Sequence, residues 1–79
     1  MKLHMLYFAA LRDAAGRDRE DVEVAVGDAR EVYAQLRRRH GFALDPDRIR
    51  VAVNGEFAAW ERPLSDGDEV AFLPPVSGG

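Results

Sequence analysis

The clearest helix signal in this chain of 79 residues is the stretch DAREVYAQLRRRHG, residues 28–41. Asp28 can cap the helix, and Glu31 follows three residues later, which approximates a capping box. Cationic side chains precede Gly41, where they oppose the negative end of the helix dipole. The stretch therefore predicts one amphipathic helix that needs a partner surface. Its apolar face collects, at helical spacing, Ala29, Val32, Tyr33 and Leu36.

The surface on which this helix packs is expected to be a sheet, and its first strands precede the helix in the sequence. Residues 2–8 predict a strand with apolar side chains on both faces, as in a central strand or one with a face left for a partner. Residues 9–15 are mostly good helix formers and are followed by Gly16, a natural helix stop. Residues 17–21 are expected to be charged and exposed. The alternating valines of residues 22–26 predict a half-buried strand.

Three further strands follow the helix. Residues 49–53 alternate apolar side chains on one face, and the dipeptide Asn54-Gly55 predicts a tight hairpin. Residues 56–58 are expected to return beside the first arm, and residues 69–73 form the last strand. The Pro74-Pro75 pair then ends the sheet, because proline lacks the N–H that a ladder needs.

The order of these elements is strand, short helix, strand, helix and three strands. It predicts an α+β fold of the β-grasp, or ubiquitin-like, type, by analogy of element order. We expect a mixed sheet of about five strands packed on one main helix plus a short helix. The domain is predicted to span residues 1–73, with residues 74–79 as an extended C-terminal tail.

Composition excludes several kinds of function. The net charge is −3, from eleven basic and fourteen acidic residues, which argues against a nucleic-acid partner. No cysteine is present, so there is neither a disulfide nor a nucleophilic thiol. The two histidines, His4 and His40, lack the companions of a metal site and are expected to be structural. No segment approaches the ~18 apolar residues of a membrane span, and we expect a cytoplasmic protein.

The tail carries the sequence Pro-Pro-Val-Ser-Gly-Gly, residues 74–79. Two prolines favour an extended exit from the sheet, and the two glycines fit a channel too narrow for side chains. The reactive group of such a tail is the carboxylate of Gly79, which has to be activated, for example as an acyl-adenylate, before a nucleophile can attack it. Taken alone, a glycine pair also fits a frayed end.

Two motifs resemble a known family. Residues 7–16, YFAALRDAAG, and residues 64–79, LSDGDEVAFLPPVSGG, resemble the opening and closing motifs of the MoaD family, the sulfur-carrying small subunits of molybdopterin synthase. The resemblance implies that a MoeB-type enzyme adenylates Gly79 with ATP and Mg, after which the C-terminus becomes a thiocarboxylate. It also implies a MoaE-type large subunit, with which the chain forms a heterotetramer and converts cyclic pyranopterin monophosphate to molybdopterin.

The resemblance also assigns roles to individual residues. Gly79 carries the sulfur, and Gly78, which has no side chain, lets the tail enter a narrow channel. Phe8 and Leu73 are implied to dock against the large subunit, although many relatives carry an aromatic residue where this chain has Leu73. The chain is expected to bind no cofactor and to supply no catalytic side chain. The residues implied to line the partner channel are Pro74, Pro75, Val76 and Ser77.

Three other functions stay open at this point. The glycine pair is shared with the ThiS-type carriers of thiazole synthesis and with ubiquitin-like protein modifiers, in which Gly79 would end as an amide on a lysine. An interaction domain with an inert tail is the third. Only the choice of partner separates the two sulfur-carrier functions, and the two motifs favour the molybdopterin branch.

Overall fold

A computed structural model describes residues 1–25 and 27–75. These residues form five strands, two α-helices and a short 3₁₀ turn. In chain order these are β1 Lys2–Tyr7, α1 Ala9–Ala15, β2 Arg19–Glu23, α2 Ala29–His40, the 3₁₀ turn Pro46–Arg48, β3 Arg50–Val53, β4 Glu56–Ala58 and β5 Glu69–Leu73. The strands make one mixed sheet in the order β2-β1-β5-β3-β4, in which only β1 and β5 are parallel. The predicted α+β architecture is confirmed.

Helix α2 forms as its sequence predicts. The backbone N–H of Glu31 donates to Asp28 Oδ1 at 2.9 Å, which satisfies one of the free donors of the first turn. The helix ends at Gly41, whose φ of 74° is the left-handed conformation that glycine adopts without strain. Its buried residues are the predicted four: Ala29, Val32, Tyr33 and Leu36.

The core lies between α2 and one face of the sheet. Alternate strand residues point into it, so Leu3, Met5 and Tyr7 of β1 are buried, as are Val70 and Phe72 of β5. Aromatic rings fill its centre. Tyr33 contacts Phe72 edge to face, with 5.0 Å between ring centroids, and Trp60 stacks on Phe72 at 5.8 Å.

Replacing Phe72 by alanine is expected to lower the free energy of unfolding by about 3–5 kcal/mol, because it empties the centre of a small core. Phe57→Ala is the matched control, since 61% of the Phe57 side chain is already exposed. We expect this control to cost less than about 1 kcal/mol. Urea unfolding of both variants measures the difference. Equal losses would show that Phe72 does not support the core.

The second strand differs from the prediction. β2 begins at Arg19, so residues 19–21, expected in an exposed connection, belong to the sheet and pair with Leu6, Met5 and His4. β2 ends at Glu23, so Val24 and Ala25, predicted to belong to the strand, follow it. The predicted burial of Val22 and Val24 is confirmed, and Val26 lies outside the described residues. The pattern was misleading because Glu20 occupies a position facing Met5, where an apolar residue is usual.

The carboxylate of Glu20 is accommodated by a polar cluster between β2 and the end of α2. Tyr7 Oη donates to Glu20 Oε2 at 2.6 Å, and His40 Nε2 lies 2.8 Å from the same oxygen. Burial alone would raise the pKa of Glu20, but the hydrogen bonds from Tyr7 and His40 outweigh it and hold the pKa below its ordinary value. The cluster therefore fixes the C-terminus of α2 to the sheet through a charged carboxylate.

Acidification is expected to remove this contribution. Because the pKa of Glu20 is lowered by folding, its stabilisation is complete above the ordinary value of about 4.3 and disappears as the pH falls through the lower folded pKa. Glu20→Gln should therefore cost roughly 1.5–3 kcal/mol near pH 7, and the gap to the parent should close below about pH 4. Urea unfolding across this range measures the gap, with the exposed Glu56→Gln as control. A gap that stays constant with pH would contradict the assignment.

Candidate functional site

One face of the sheet is turned away from the core and carries apolar side chains. Leu6, Ala71, Ala52 and Phe57 are register neighbours on four adjacent strands, so they form one row across the sheet. Leu6, Ala52 and Ala71 alternate with buried residues and therefore point outward, and Phe57, paired with Ala52, points to the same side. Phe57 is exposed and the other three are half-buried. We call this row the outer face.

The two predicted docking residues lie at one end of the outer face. Phe8 follows β1 in an extended conformation and is 42% exposed. Leu73 ends β5 and is half-buried. Tyr7 and Phe72 are partners in the parallel pair, so Phe8, directly after β1, and Leu73, the last residue of β5, come next along two neighbouring segments. The structure thus brings together two residues that are far apart in sequence, at the point where the chain leaves the sheet.

Sequence reasoning missed Phe57, the most exposed large apolar residue of the described part of the chain. The Arg50 guanidinium lies 3.9 Å from the centre of its ring, which is cation–π geometry. The sequence did contain a signal for the outward position of Phe57. The two-residue turn at Asn54 and Gly55 pairs Val53 with Glu56 and so places Phe57 opposite Ala52, outside the core.

An open depression of about 620 Å³ lies beside the start of the tail. Its apolar part comes from Ile49, Phe57, Leu73, Pro74 and Pro75. Its charged part comes from Asp47, Arg48 and Arg50. Apolar side chains with two arginines against one aspartate suit a partner that presents apolar groups together with negative charge.

The histidines have the structural roles expected of them. His4, on β1, lies 2.7 Å from Asp21 Oδ1, and this hydrogen bond is the main cause that lowers the pKa of Asp21. His40 is the last residue of α2 and contacts Glu20. Within residues 1–25 and 27–75, no group of three His, Asp or Glu side chains could hold a metal ion. Over the same residues, no helix is long and apolar enough to cross a membrane.

The tail begins at the edge of the outer face. Pro74 is half-buried and Pro75 is exposed, and neither continues the strand. The other predicted tail residues, Val76, Ser77, Gly78 and Gly79, lie outside the described residues. The described part of the site is therefore an exposed apolar surface that ends where the tail begins.

Comparison with known proteins points to one group. A family model described as the ThiS family matches residues 5–79. The molybdopterin synthase sulfur carrier subunit of Mycobacterium tuberculosis (strain ATCC 25618 / H37Rv) is 42% identical over 100% of this chain and 99% of that protein.

Two solved structures resemble the fold closely. SAMP1 from Haloferax volcanii superposes with a TM-score of 0.83 at 30% identity and covers 100% of both chains. A chain in the complex of subunits 1 and 2 of the molybdopterin-converting factor from Helicobacter pylori 26695 gives a TM-score of 0.69 at 25% identity, also over 100% of both chains. The predicted ubiquitin-like β-grasp fold is confirmed by these neighbours.

Proposed function

Because this chain belongs to the ThiS/MoaD family, we propose that it is the sulfur carrier subunit of a molybdopterin synthase. The observation that carries the proposal is the position of the tail. The tail leaves β5 at the end of the outer face where Phe8 and Leu73 meet. A partner that docks on this face receives the tail directly.

The chemistry would take place at the carboxylate of Gly79. A MoeB-type enzyme uses ATP and Mg to adenylate this carboxylate, with pyrophosphate as the leaving group. A sulfur nucleophile at the oxidation level of sulfide then attacks the carbonyl carbon and displaces AMP, which leaves a thiocarboxylate. The thiocarboxylate donates its sulfur to cyclic pyranopterin monophosphate, and two donations build the dithiolene of molybdopterin. The sulfur is bonded to the terminal carbonyl carbon and not to a side chain, which is consistent with a chain that has no cysteine.

The large subunit of the synthase is the proposed docking partner. The converting-factor complex from Helicobacter pylori, in which a chain of this fold is joined with subunit 2, supports a partner of this kind. We further propose a heterotetramer, in which a dimer of large subunits binds one small subunit at each end. Because activation consumes ATP, we assign the reaction to the cytoplasm.

The energetics require a docking surface of moderate size. Ordering six tail residues costs on the order of 6–12 kcal/mol of backbone entropy, less the part already lost at the two prolines. Burial of roughly 250–500 Å² of apolar surface offsets this cost. The outer face with Phe8, Phe57 and Leu73 fits within the ~800 Å² that each partner contributes to a standard interface.

Reconstitution of the synthase tests the proposal. The chain carrying a Gly79 thiocarboxylate is mixed with the large subunit of the same organism and cyclic pyranopterin monophosphate. We expect molybdopterin to form, with the carrier returning to the carboxylate. The chain without sulfur is the control and should give no product. A thiocarboxylate that persists beside an active large subunit, but is consumed by a thiazole synthase, would assign the chain to the other branch of the family.

Protein modification is the second candidate, favoured by the 30% identity to SAMP1, a small archaeal modifier protein. In this function Gly79 would form an amide with a target lysine. Because Pro63 follows Arg62, the last bond that trypsin cleaves readily is the one after Arg50, so digestion would leave residues 51–79 on such a lysine. A search for this remnant in the proteome of the source cells separates the two functions.

A further inference from the structure

Activation exposes the chain to its own nucleophiles. An acyl-adenylate at Gly79 reacts with amines, thiols and hydroxyls, including those of the carrier. The sequence is poor in such groups, since it contains no cysteine or threonine, and ten of its eleven basic side chains are arginines. Lys2 is the only lysine. The structure shows where the remaining nucleophiles lie relative to the tail.

Lys2 lies at the end of the sheet opposite to the tail. β1 and β5 are parallel, with His4 beside Glu69 and Tyr7 beside Phe72. Lys2 is thus two residues before the level of Glu69, and Leu73 is four residues after it. Six residues of strand span about 20 Å. We call the end with Leu73 and Pro75 the tail end, and the end with Lys2 the far end.

The tail begins beside Arg48 and Arg50 and not beside Lys2. Pro74 and Pro75 line the depression together with residues 47–50, which precede or begin β3. Arg50 pairs with Leu73 in an antiparallel register, so Asp47, Arg48 and Ile49 lie beyond the end of β5. Four residues after Pro75 span at most about 14 Å. Gly79 is thus tethered within reach of the two arginines, whereas Lys2 lies about 20 Å along the sheet from Leu73.

The other nucleophilic groups lie at the far end of the sheet or are engaged in hydrogen bonds and ion pairs. Ser65 lies at the far end, in the turn whose Gly67 donates to the Lys2 carbonyl oxygen at 2.7 Å. The Met1 ammonium is held by Glu23 at 2.7 Å and by the carbonyl oxygen of Val24 at 2.9 Å. His4, also at the far end, is bonded to Asp21.

Near the tail end, the tyrosines and His40 are engaged. Tyr7 donates to Glu20, and Tyr33 donates to the carbonyl oxygen of Leu44 at 2.8 Å. Burial raises the pKa of both phenols, so they stay protonated. His40 is only 12% exposed and its Nε2 contacts Glu20. The Ser77 hydroxyl, in the tail, meets the Gly79 carbonyl only through a strained ring that contains two planar peptide bonds.

The cations beside the tail are Arg48 and Arg50. A guanidinium stays protonated at any physiological pH and is no nucleophile, whereas the amine of a lysine can be deprotonated and acylated. We infer that Arg48 and Arg50 are specificity-determining residues, which supply positive charge at the tail end without offering an amine to the activated Gly79. This inference rests on the proposed activation of Gly79.

The reaction that these arginines prevent is an intramolecular aminolysis. A lysine amine at position 48 or 50 would attack the terminal carbonyl carbon and form a C–N bond. The C–O bond to AMP, or the C–S bond of a thioester, would break, and the leaving group would take its electron pair. The proton of the amine would pass to water. The product is a cyclic amide, lighter than the parent acid by one water.

A chemically prepared thioester tests the inference without any activating enzyme. The full chain is made as an intein fusion and released by a small thiol, which leaves a thioester on Gly79. Three variants are compared with the parent at about pH 9, where part of any lysine amine is deprotonated. Arg48→Lys and Arg50→Lys place an amine at the tail end. Arg62→Lys is the matched control, because Arg62 acts electrostatically on Asp68 in the turn at the far end.

Intact mass and peptide mapping give the ratio of cyclic amide to hydrolysed acid. We expect this ratio to rise at least about tenfold in Arg48→Lys or Arg50→Lys, since a nearby amine has a high effective concentration. Arg62→Lys should match the parent. Equal ratios in all four proteins, with circular dichroism showing that all are folded, would overturn the inference. Because the thioester is made chemically, this outcome is independent of whether Gly79 is adenylated in the cell.

Discussion

Removal of Gly79 is expected to reduce sulfur transfer at least about 100-fold, because the reacting carbon then ends ~3.5 Å short of its place in the partner and even a 1 Å misplacement costs about 10² in rate. The domain should stay folded. β5 ends at Leu73, and the described core, from Leu3 to Phe72, contains no tail residue. The free energy of unfolding should therefore change by less than about 0.5 kcal/mol.

Two further variants separate the effect of tail length from the effect of side-chain bulk near the end of the tail. Gly78→Phe keeps the length but adds a ring where the proposed channel admits none, so it should lose transfer to a similar extent. Ser77→Ala keeps both the length and the slender end, and should transfer sulfur at close to the parental rate. Single-turnover molybdopterin formation measures transfer, and urea unfolding measures stability. A marked loss of stability on deletion of Gly79 would show that the tail is structural.

An aspartate on the outer face is expected to weaken binding to the large subunit by about 100-fold, or ~2.7 kcal/mol, because an interface buries its charge without a partner. We expect this for Phe8→Asp and for Phe57→Asp. Folding should change far less, since the two side chains are 42% and 61% exposed. Gln35→Glu adds the same charge on the exposed side of α2 and is the matched control.

Isothermal titration calorimetry with the purified large subunit measures the three affinities, and circular dichroism verifies the fold. Unchanged affinity of both Phe8→Asp and Phe57→Asp would show that the partner does not use the outer face. Loss of affinity in only one of the two variants would define which end of the outer face the partner covers, because Phe8 adjoins β1 and Phe57 lies on the edge strand β4.

Most of the fold follows from local patterns in the sequence. Helix α2 was predictable to the residue because its cap, its apolar spacing and its terminal glycine agree. The β3–β4 hairpin was predictable because Asn54 and Gly55 adopt φ values of 52° and 85°, which few other residues tolerate. The start of β2 was missed, because the inward position of Glu20 becomes acceptable only through Tyr7 and His40, far away in sequence.

The candidate site was predictable only in part. Phe8 and Leu73 came from the family motifs, and their proximity follows from the parallel pairing of β1 with β5, a long-range property. Phe57 was missed: the hairpin register places it opposite Ala52, but one apolar residue between Glu56 and Ala58 does not by itself reveal which side it faces. The depression beside Pro74 and Pro75 depends on how the 3₁₀ turn meets the end of β5, which no local pattern encodes.

The most direct test of the sulfur-carrier function is the intact mass of the chain ending in Gly79. The protein, without a C-terminal tag, is incubated with ATP, Mg, a MoeB-type enzyme and a sulfur source, beside the homologous carrier from Mycobacterium tuberculosis as a positive control. We expect a species heavier by the exchange of one oxygen for one sulfur, located at Gly79. A mass that stays at the parental value while the control is converted would contradict the function proposed for this chain.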